Sequence, residues 1–537
     1  MRRKLLVVVA LSLLVGSALA DVKLSAVLGS NMVLQRGVKL PVWGTADPGE
    51  DVTVTLGDQK ATTKADAAGK WRVDLKPLAE GGPIEVTVQG KNTLKLTNVL
   101  IGDVWICSGQ SNMAMTVNRC TNADKEAAEA KYPQIRLFTV KRVVAATPQA
   151  DCEGSWDEAK PETVPGFSAA AYFFGRELHK ALGVPVGLIN TSWGGTPAEA
   201  WTERSALEAD KDCEPILERW KQTLAGLPAA QKRYEEQLAK WKEVAKEAKA
   251  KGKQPPRGPR PPAGPGSPHM PAGLYNAMIA PLVPLAAKGA IWYQGEANAG
   301  RAYQYRKLLP AMILSWRKAW AQDAFYFFTV QLPNFRKVEA EPVESDWAEL
   351  REAQAMTLSL PQAGIACVID VGEAGDIHPK NKQTVGQRLA LAALKMACGK
   401  DVVASGPMFD SMKVEGNKAI IKLKCVGGGL ATKPFEDPVT PSGPSLKLRF
   451  GIALTPELRP KSQVLGFAIA GEDKKFVWAD AKIEGDSVVV SSDKVAKPVA
   501  VRYAWENNPI CNLYNKDGLP AVPFRTDDWP GVTVDKR

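Results

Sequence analysis

The chain is poor in the residues that metal sites, disulfide frameworks and membrane spans require. Its 537 residues contain three histidines and eight cysteines, and no two cysteines have the CxxC spacing. In an exported protein such sparse cysteines predict one to three disulfides at most, and they predict no metal site. After residue 20, no stretch has the roughly 18 apolar residues that a membrane-spanning helix needs. We therefore expect no metal, no cofactor and no membrane span.

A concentration of charge of one sign is also missing. The formal net charge is +11, and removal of residues 1–20, with Arg2, Arg3 and Lys4, leaves +8. This surplus is spread along the chain, whereas proteins that bind nucleic acid collect theirs on one face or segment. The sequence therefore predicts no nucleic-acid partner.

The first 20 residues have the three parts of a secretory signal peptide. A basic start precedes an apolar stretch over residues 5–15, and small residues end at Ala20. Because Asp21 follows the expected cut, no lipid-bearing cysteine stands there. The sequence predicts cleavage near Ala20 and a secreted or periplasmic protein.

Three sequence patterns follow one another in the rest of the chain. Residues 21–97 alternate apolar and polar side chains between Gly/Pro turns, which predicts a small β-sandwich that either binds sugar or is a structural appendage. Residues 98–400 alternate apolar strands with amphipathic helices, which predicts a mostly parallel sheet with helices on both faces, an α/β domain. Residues 401–537 return to the strand pattern and predict a second β-rich domain.

The α/β region supplies the elements that can position a site. The expected strands cover residues 99–107, 186–190, 289–293, 325–331 and 365–369. The expected helices cover residues 169–182, 303–320 and 384–398. In an open α/β sheet, ligands gather at the carboxyl ends of the strands, so the loops that follow these strands are the candidates for a site.

One insertion, at about residues 205–270, interrupts this region. Its first part is rich in Ala, Lys, Glu and Gln, with an apolar helical stripe that includes Trp241. Residues 253–262 are proline-rich and predict an extended or disordered return. We expect a helical excursion that serves either as a lid over the site or as a solvated surface arm.

The stretch from Trp105 to Met113 predicts a buried strand followed by a turn of small and polar residues. Gly109 lets the chain turn sharply, and Ser111 stands where a helix begins. A serine there is exposed to a pocket, and its N–H is among the unpaired donors of a helix start. Ser111 is therefore either a nucleophile or an ordinary helix cap.

The scarcity of histidine narrows the choice of a general base. His179 falls within an expected helix, and His269 falls in the proline-rich return of the insertion. His378 follows an expected strand and has Asp376 two residues before it, which places both side chains on one side of an extended segment. The pair predicts an imidazole that takes the serine proton while a carboxylate orients it.

Two further strand ends supply hydrogen-bond donors. The first, residues 191–196, contains Gly194 and Gly195, whose backbone a substrate oxygen can approach closely. The second, residues 292–298, offers a side-chain amide. Four such corners after strands of one sheet indicate an active site rather than ordinary turns.

These corners resemble the successive blocks of the SGNH-hydrolase superfamily. The matching segments are GQSNM at 109–113, SWGGT at 192–196, WYQGEAN at 292–298 and DIHPKNKQTVGQRLA at 376–390. Within that superfamily the chain is most similar to the sialate O-acetylesterase family. Segments 273–282 and 315–320 extend the resemblance.

The resemblance implies that Ser111 is the nucleophile and His378 the general base. Asp376 is the implied orienting acid, but the superfamily spacing is three residues and here it is two, so a Ser-His dyad is the alternative. The implied oxyanion hole consists of the backbone of Ser111 and of Gly194 or Gly195, with a side-chain amide. Gln294 is preferred over Asn298 for that amide.

The resemblance also implies the substrate. Six residues are implied to contact it: Gln110, Asn112, Glu296, Asn298, Arg351 and Gln354. The expected activity is hydrolysis of O-acetyl groups from sialic acid or a related acetylated carbohydrate, with no cofactor. The alternatives are deacetylation of xylan or another polysaccharide, and an inactive secreted protein that only binds sugar.

Overall fold

The structure, a computed structural model, describes residues 21–322, 324–433 and 464–537. The expected signal peptide at residues 1–20 lies outside these ranges. The described part of the chain forms one large mixed sheet with helices, an N-terminal group of strands that continues into this sheet, and a C-terminal β region.

The N-terminal strands follow the alternating pattern of the sequence. In the sixth strand, Trp71, Val73 and Leu75 are buried while the residues between them are exposed. One antiparallel sheet has the order β1-β3-β6, and β4 pairs with β5 and β7 in the other. The strands are β1 (Lys23–Leu24), β2 (Val33–Gln35), β3 (Leu40–Thr45), β4 (Asp51–Leu56), β5 (Gln59–Lys64), β6 (Lys70–Leu75) and β7 (Gly81–Gln89).

The eighth strand joins the N-terminal strands to the α/β region. β8 (Thr93–Gly109) pairs antiparallel with β7 over its first half and parallel with its central-sheet neighbours over its second half. The boundary expected between residues 97 and 98 therefore falls inside a continuous strand. The buried carboxylate of Asp103 holds this junction, since the Arg36 guanidinium donates to both of its oxygens, at 2.9 and 3.0 Å.

The central sheet has the order β10-β9-β11-β8-β12-β13-β14, and only its β9–β10 pair is antiparallel. The expected mostly parallel sheet is confirmed, and strand 289–293 has the expected ends. The strands that follow β8 are β9 (Tyr132–Thr139), β10 (Trp156–Ala159), β11 (Val186–Ser192), β12 (Gly289–Tyr293), β13 (Tyr326–Val330) and β14 (Ala363–Ala366).

Helices cover both faces of this sheet, as expected. They are α1 (Ser111–Ala114), α2 (Ala123–Ala128), α3 (Ala169–Leu182), α4 (Arg204–Ala209), α5 (Glu214–Ala250), α6 (Ala302–Trp320), α7 (Asp346–Ala355) and α8 (Lys382–Met396). Neighbouring residues of a strand point to opposite faces. Phe327 packs on Trp316 of α6, whereas Phe328 packs on Trp105, whose other neighbour is Phe174 of α3.

The insertion is a long helix with its return laid against it. Helix α5 is mostly exposed, and only Ile216 and Ala245 are buried in it. The Trp241 indole donates a 2.7 Å hydrogen bond to the carbonyl of Pro256 in the proline-rich return. Residues 214–250 thus form a helix, and the return contacts Trp241 of the helical stripe that the sequence indicated.

The C-terminal β region has its own core, which includes Ile421, Phe467 and Tyr503. Its strands are β15 (Met408–Glu415), β16 (Lys418–Lys424), β17 (Leu430–Thr432), β18 (Phe467–Ala470), β19 (Val477–Trp478), β20 (Asp480–Glu484), β21 (Ser487–Ser491), β22 (Ala500–Tyr503), β23 (Leu513–Asn515) and β24 (Phe524–Arg525). The end of the chain returns to α7, where the buried Glu349 carboxylate accepts from the backbone of Val532.

The cysteines differ from the expectation. All eight lie in the described ranges and all are free thiols, so the structure does not contain the one to three expected disulfides. Cys107 and Cys367 are buried in different cores. Burial raises the pKa of the Cys107 thiol well above its ordinary value, which makes this group unreactive.

The described residues bear on two of the expected absences. No helix there is both long and apolar enough to cross a membrane. The same residues contain no group of three or more His, Cys, Asp and Glu side chains that could hold a metal ion.

Candidate active site

Three of the four motif segments follow strands of the central sheet that end side by side. The register pairs Gly109 at the end of β8 with Ser192 of β11 on one side and with Tyr293 of β12 on the other. Because the strands are parallel, the chain segments that follow them leave from the same edge. The segments that begin at residues 110, 193 and 294 therefore meet there.

Gly109 explains how the chain turns at this edge. Its φ is +140°, and a Cβ atom there would lie 2.2 Å from the carbonyl oxygen of Tyr293. Only glycine fits such a close approach of two strands. The turn starts helix α1 at Ser111, whose side chain is partly exposed.

His378 lies directly opposite this serine. Its Nε2 is 2.8 Å from the Ser111 Oγ, which is the geometry of a base that can take the hydroxyl proton. Burial lowers the pKa of His378 below its ordinary 6.5, against the opposing effect of the Asp376 carboxylate. The imidazole is therefore neutral at neutral pH and able to accept a proton.

Asp376 lies on the other side of the imidazole, but less tightly. Its Oδ1 is 3.4 Å from the Nδ1 of His378 and accepts a 2.9 Å hydrogen bond from the His378 backbone N–H. With this two-residue spacing the carboxylate lies near the imidazole ring, but its short hydrogen bond is with the backbone N–H of His378. The carboxylate can support a positive imidazolium electrostatically, although its distance from Nδ1 is long for a hydrogen bond.

The other two histidines lie elsewhere. The Nδ1 of His179 is bound to the carbonyl of Val184 at the end of α3. The Nε2 of His269 is 3.1 Å from the carbonyl oxygen of Gly195. The return of the insertion therefore contacts the segment of residues 191–196, a contact that the sequence did not indicate.

Gly194 lies beside Ser111. A Cβ atom built on Gly194 would be 3.3 Å from the Cβ of Ser111. Gly195 has a φ of +78°, in the left-handed region, and the chain changes direction there. The backbone N–H of Trp193 donates to the carbonyl of Gly109 at 3.1 Å, which fixes this corner against the end of β8. A substrate oxygen near Ser111 would also be near the Gly194 backbone.

The predicted amide donor is not available in this arrangement. The amide N–H groups of Gln294 donate to the Thr196 carbonyl at 3.2 Å and to the Asn298 Oδ1 at 2.7 Å, and its Oε1 accepts from Tyr305. Gln294 is fully buried, and Asn298 is nearly so, with its own amide bound to Glu199. These contacts leave the oxyanion role of Gln294 without support, since both N–H groups already have acceptors.

Gln110 and Asn112 flank the serine but face the protein. The Gln110 Oε1 accepts from the backbone N–H groups of Gly295 and Ala297, at 3.4 and 3.2 Å. Asn112 is fully buried, and its amide donates to the Ile377 carbonyl at 3.0 Å and to the Glu296 carboxylate. Both residues connect the segment around Ser111 to other motif segments, and their side chains are buried against the protein.

Lys382 completes this buried network. Its Nζ donates to the Oδ1 of Asn112 at 2.6 Å and lies 5.1 Å above the ring of Tyr293. Burial lowers the pKa of Lys382 to about 7, and burial also raises the pKa of Glu296. Sequence reasoning missed Lys382 because a lysine at the start of a helix looks like a surface residue; the only signal was its place in the motif after His378.

Arg351 and Gln354 also lie behind the site rather than in it. Both are fully buried. The Arg351 guanidinium donates to four backbone carbonyls, those of Leu332, Pro333, Glu506 and Asn507. The Gln354 amide donates to the carbonyls of Gln294 and Val330. The predicted contacts of these two residues with substrate are therefore not supported.

Comparisons with known proteins agree with the motifs. A family model described as carbohydrate esterase, sialic acid-specific acetylesterase, matches residues 101–252. The chain is 31% identical to the sialate O-acetylesterase of Rattus norvegicus, over 94% of each chain. The human sialate O-acetylesterase is 29% identical, over 95% of this chain and 94% of its own.

A solved structure extends the likeness to the whole fold. The crystal structure of a carbohydrate acetylesterase from Xanthomonas citri is 37% identical, covers 95% of this chain and 100% of its own, and has a TM-score of 0.76. The two sialate O-acetylesterases and this structure match over almost the whole chain, which includes both flanking regions and the motif segments. The chain belongs to the sialate O-acetylesterase family of carbohydrate esterases.

Proposed function

We propose that the chain is a serine hydrolase that removes O-acetyl groups from carbohydrates, with Ser111 as nucleophile and His378 as general base. The observation that carries this proposal is the 2.8 Å distance between the His378 Nε2 and the Ser111 Oγ. A neutral imidazole in contact with a partly exposed serine at a helix start is the arrangement that acyl transfer needs.

The proposed reaction has two halves. As the Ser111 Oγ bonds to the acetyl carbon, His378 takes the hydroxyl proton and the carbonyl oxygen becomes an oxyanion. Collapse breaks the bond to the sugar oxygen, which receives that proton from His378, and leaves an acetyl-serine. Water then attacks the acetyl group with His378 again as base, and acetate leaves as Ser111 regains its proton.

The proposed oxyanion hole consists of backbone donors. The Ser111 N–H is the first donor of α1, and the Gly194 backbone lies beside the serine. Such fixed dipoles stabilise charge that develops in the transition state. Asp376 is proposed to stabilise the imidazolium, so that the catalytic unit is a triad with a loosely held third member.

The proposed substrate is an O-acetylated sugar, with sialic acid first because relatives are named sialate O-acetylesterases. The nearest alternative is acetylated xylan or another polysaccharide, since the Xanthomonas citri structure is named only as a carbohydrate acetylesterase. Acetate release from 9-O-acetyl sialic acid and from acetylated xylan, measured side by side, decides between them. Release from neither, with p-nitrophenyl acetate still cleaved, would overturn the sugar specificity.

The third alternative is an inactive sugar-binding protein. An intact contact between Ser111 and His378 argues against it. That alternative predicts retention of the chain on acetylated glycan beads with no release of acetate.

Catalysis should have an acid limb below pH 6.5. Burial, Lys382 and Arg119 lower the His378 pKa, and Asp376 opposes them. Since the neutral imidazole is the active base, kcat/KM should be near its maximum at pH 7 and fall only as pH drops through this lowered pKa. A pH profile measured with p-nitrophenyl acetate checks this, and an acid limb centred above pH 7 would contradict it.

We also propose the domain limits and the location that the sequence indicates. The flanking regions, residues 21–97 and 401–537, are proposed to be β-sandwiches that brace the catalytic region of residues 98–400, with strand β8 shared across the first limit. Export is proposed from the pattern of residues 1–20. Protein recovered from the medium or periplasm should have the intact mass of a chain that begins at Asp21. A mass that includes residues 1–20 would contradict export with cleavage.

A further inference from the structure

A small aromatic cavity lies where the C-terminal β region meets the loop before α7. Its volume is about 120 Å³, and its lining includes Phe476, Trp478, Trp505, Glu506 and Arg502. The Trp478 side chain is 38% exposed, and its indole N–H donates a 2.8 Å hydrogen bond to the Ala340 carbonyl. A solvent-reachable ring is therefore held in place at the cavity.

Two buried polar groups, in side chains that line this cavity, have no partner within the described chain. They are the Oε1 of Glu506 and the indole N–H of Trp505, in side chains that belong to residues 3% and 5% exposed. An unpaired buried polar group typically costs about 1–3 kcal/mol. Such groups are rare in native proteins and call for an explanation. A ligand with hydroxyl groups would supply both an acceptor and a donor.

The charges around the cavity are already balanced. The buried guanidinium of Arg502 is paired with Asp527 and Glu344, at 2.9 and 2.7 Å. Burial raises the pKa of Glu506 to about 8, so its carboxyl group is mainly neutral at pH 7. Lys474 lies at the same cavity, but over the ring of Trp529. Neither an anion nor a cation finds an unpaired buried countercharge here, which favours a neutral ligand.

We propose that this cavity binds a neutral sugar residue of the glycan that carries the acetyl group. The proposal rests on the proposed carbohydrate esterase function and adds a second binding site to it. The C–H face of a pyranose would pack on Trp478 and Phe476, and its hydroxyl groups would pair with Glu506 and Trp505. A cavity of about 150 Å³ holds benzene, so this one suits part of a sugar ring.

Backbone contacts connect the cavity to the catalytic loop. Asn507, which follows Glu506, accepts a 3.0 Å hydrogen bond from the Phe335 N–H. The next residue, Arg336, donates from its N–H to the carbonyl of Ala374, two residues before Asp376. One loop therefore contacts both the segment that follows Glu506 and the segment that precedes Asp376.

The test compares long and short substrates. Wild type should have a lower KM for 9-O-acetyl sialyllactose than for 9-O-acetyl sialic acid, or for acetylated xylotetraose than for acetylated xylose. Trp478→Ala should raise the KM of the oligosaccharide roughly fivefold to tenfold, the scale of one aromatic contact. It should leave the monosaccharide and p-nitrophenyl acetate unaffected, and Trp478→Phe should keep most of the oligosaccharide affinity.

A second variant separates binding from structure. Glu506→Leu removes an unpaired buried polar group, so its Tm should stay equal or rise while the oligosaccharide KM rises. A purely structural role for Glu506 would not change that KM. Equal oligosaccharide KM values in wild type, Trp478→Ala and Glu506→Leu would overturn the proposal.

The proposal is testable even if the esterase function fails. Calorimetric titration of Ser111→Ala with unacetylated lactose and xylotetraose measures binding without turnover. Binding that is lost on addition of Trp478→Ala supports the cavity as a sugar site. No binding of either sugar overturns it, whereas failure of wild type to release acetate from any sugar overturns only the proposed function.

Discussion

Ser111→Ala should lower kcat for acetate release by about 10⁴-fold or more, because loss of a nucleophile removes the covalent route altogether. The variant should still bind substrate, since the serine Oγ contacts His378 rather than the core. Hydrolysis of p-nitrophenyl acetate and of the acetylated sugar found in the substrate panel measures the loss. An unchanged Tm would show that the fold is intact.

Ser108→Ala is the matched control. Ser108 lies three residues earlier on β8, is fully buried, and has a hydroxyl without a partner in the described chain. Its replacement should change kcat by less than about twofold, because the removal of a buried hydroxyl that makes no hydrogen bond costs little free energy. Ser111→Ala with more than a hundredth of wild-type activity would rule out the proposed nucleophile.

Lys382→Met should destabilise the protein by about 1–3 kcal/mol and lower kcat as well, because it leaves the buried Oδ1 of Asn112 without the Lys382 donor. The amide of Asn112 in turn binds the backbone next to His378, so the position of the general base depends on this contact. Urea denaturation measures the stability, and acetate release measures kcat. Since the Lys382 charge lowers the His378 pKa, the acid limb should also move to higher pH.

Two further variants control this prediction. Lys380→Met alters an exposed lysine two residues earlier and should change stability by less than about 0.5 kcal/mol. Lys382→Gln keeps a donor that can reach the Oδ1 of Asn112 and should recover part of the lost stability. Lys382→Met with wild-type stability and wild-type pH dependence would show that the buried network is dispensable.

The sequence predicted well where one physical rule dominates. Continuous apolar runs marked the buried parallel strands, and strand 289–293 was predicted to the residue. The sequence predicted that Ser111 and His378 lie close together, because both follow strands of one parallel sheet and the carboxyl ends of such strands share an edge. Scarcity helped too, since only one of three histidines follows such a strand.

The polar residues were predicted less well because their partners are distant in sequence. Gln294 was expected to donate to the oxyanion, and Arg351 and Gln354 to contact the substrate, yet all three are fully buried and bound to the protein. Local sequence reports that the Arg351 side chain is polar, not that carbonyls 19 and 155 residues away accept from it. Lys382 was missed for the same reason.

The length of β8 has a consequence for how the protein can be divided or shuffled. The strand that ends at Gly109 beside the nucleophile begins at Thr93, among the N-terminal strands. A cut at residue 97 would leave the central strand of the catalytic sheet without the pairing that holds its first half. The N-terminal region is therefore not an exchangeable module, and recombination with a relative would need its crossover outside residues 93–109.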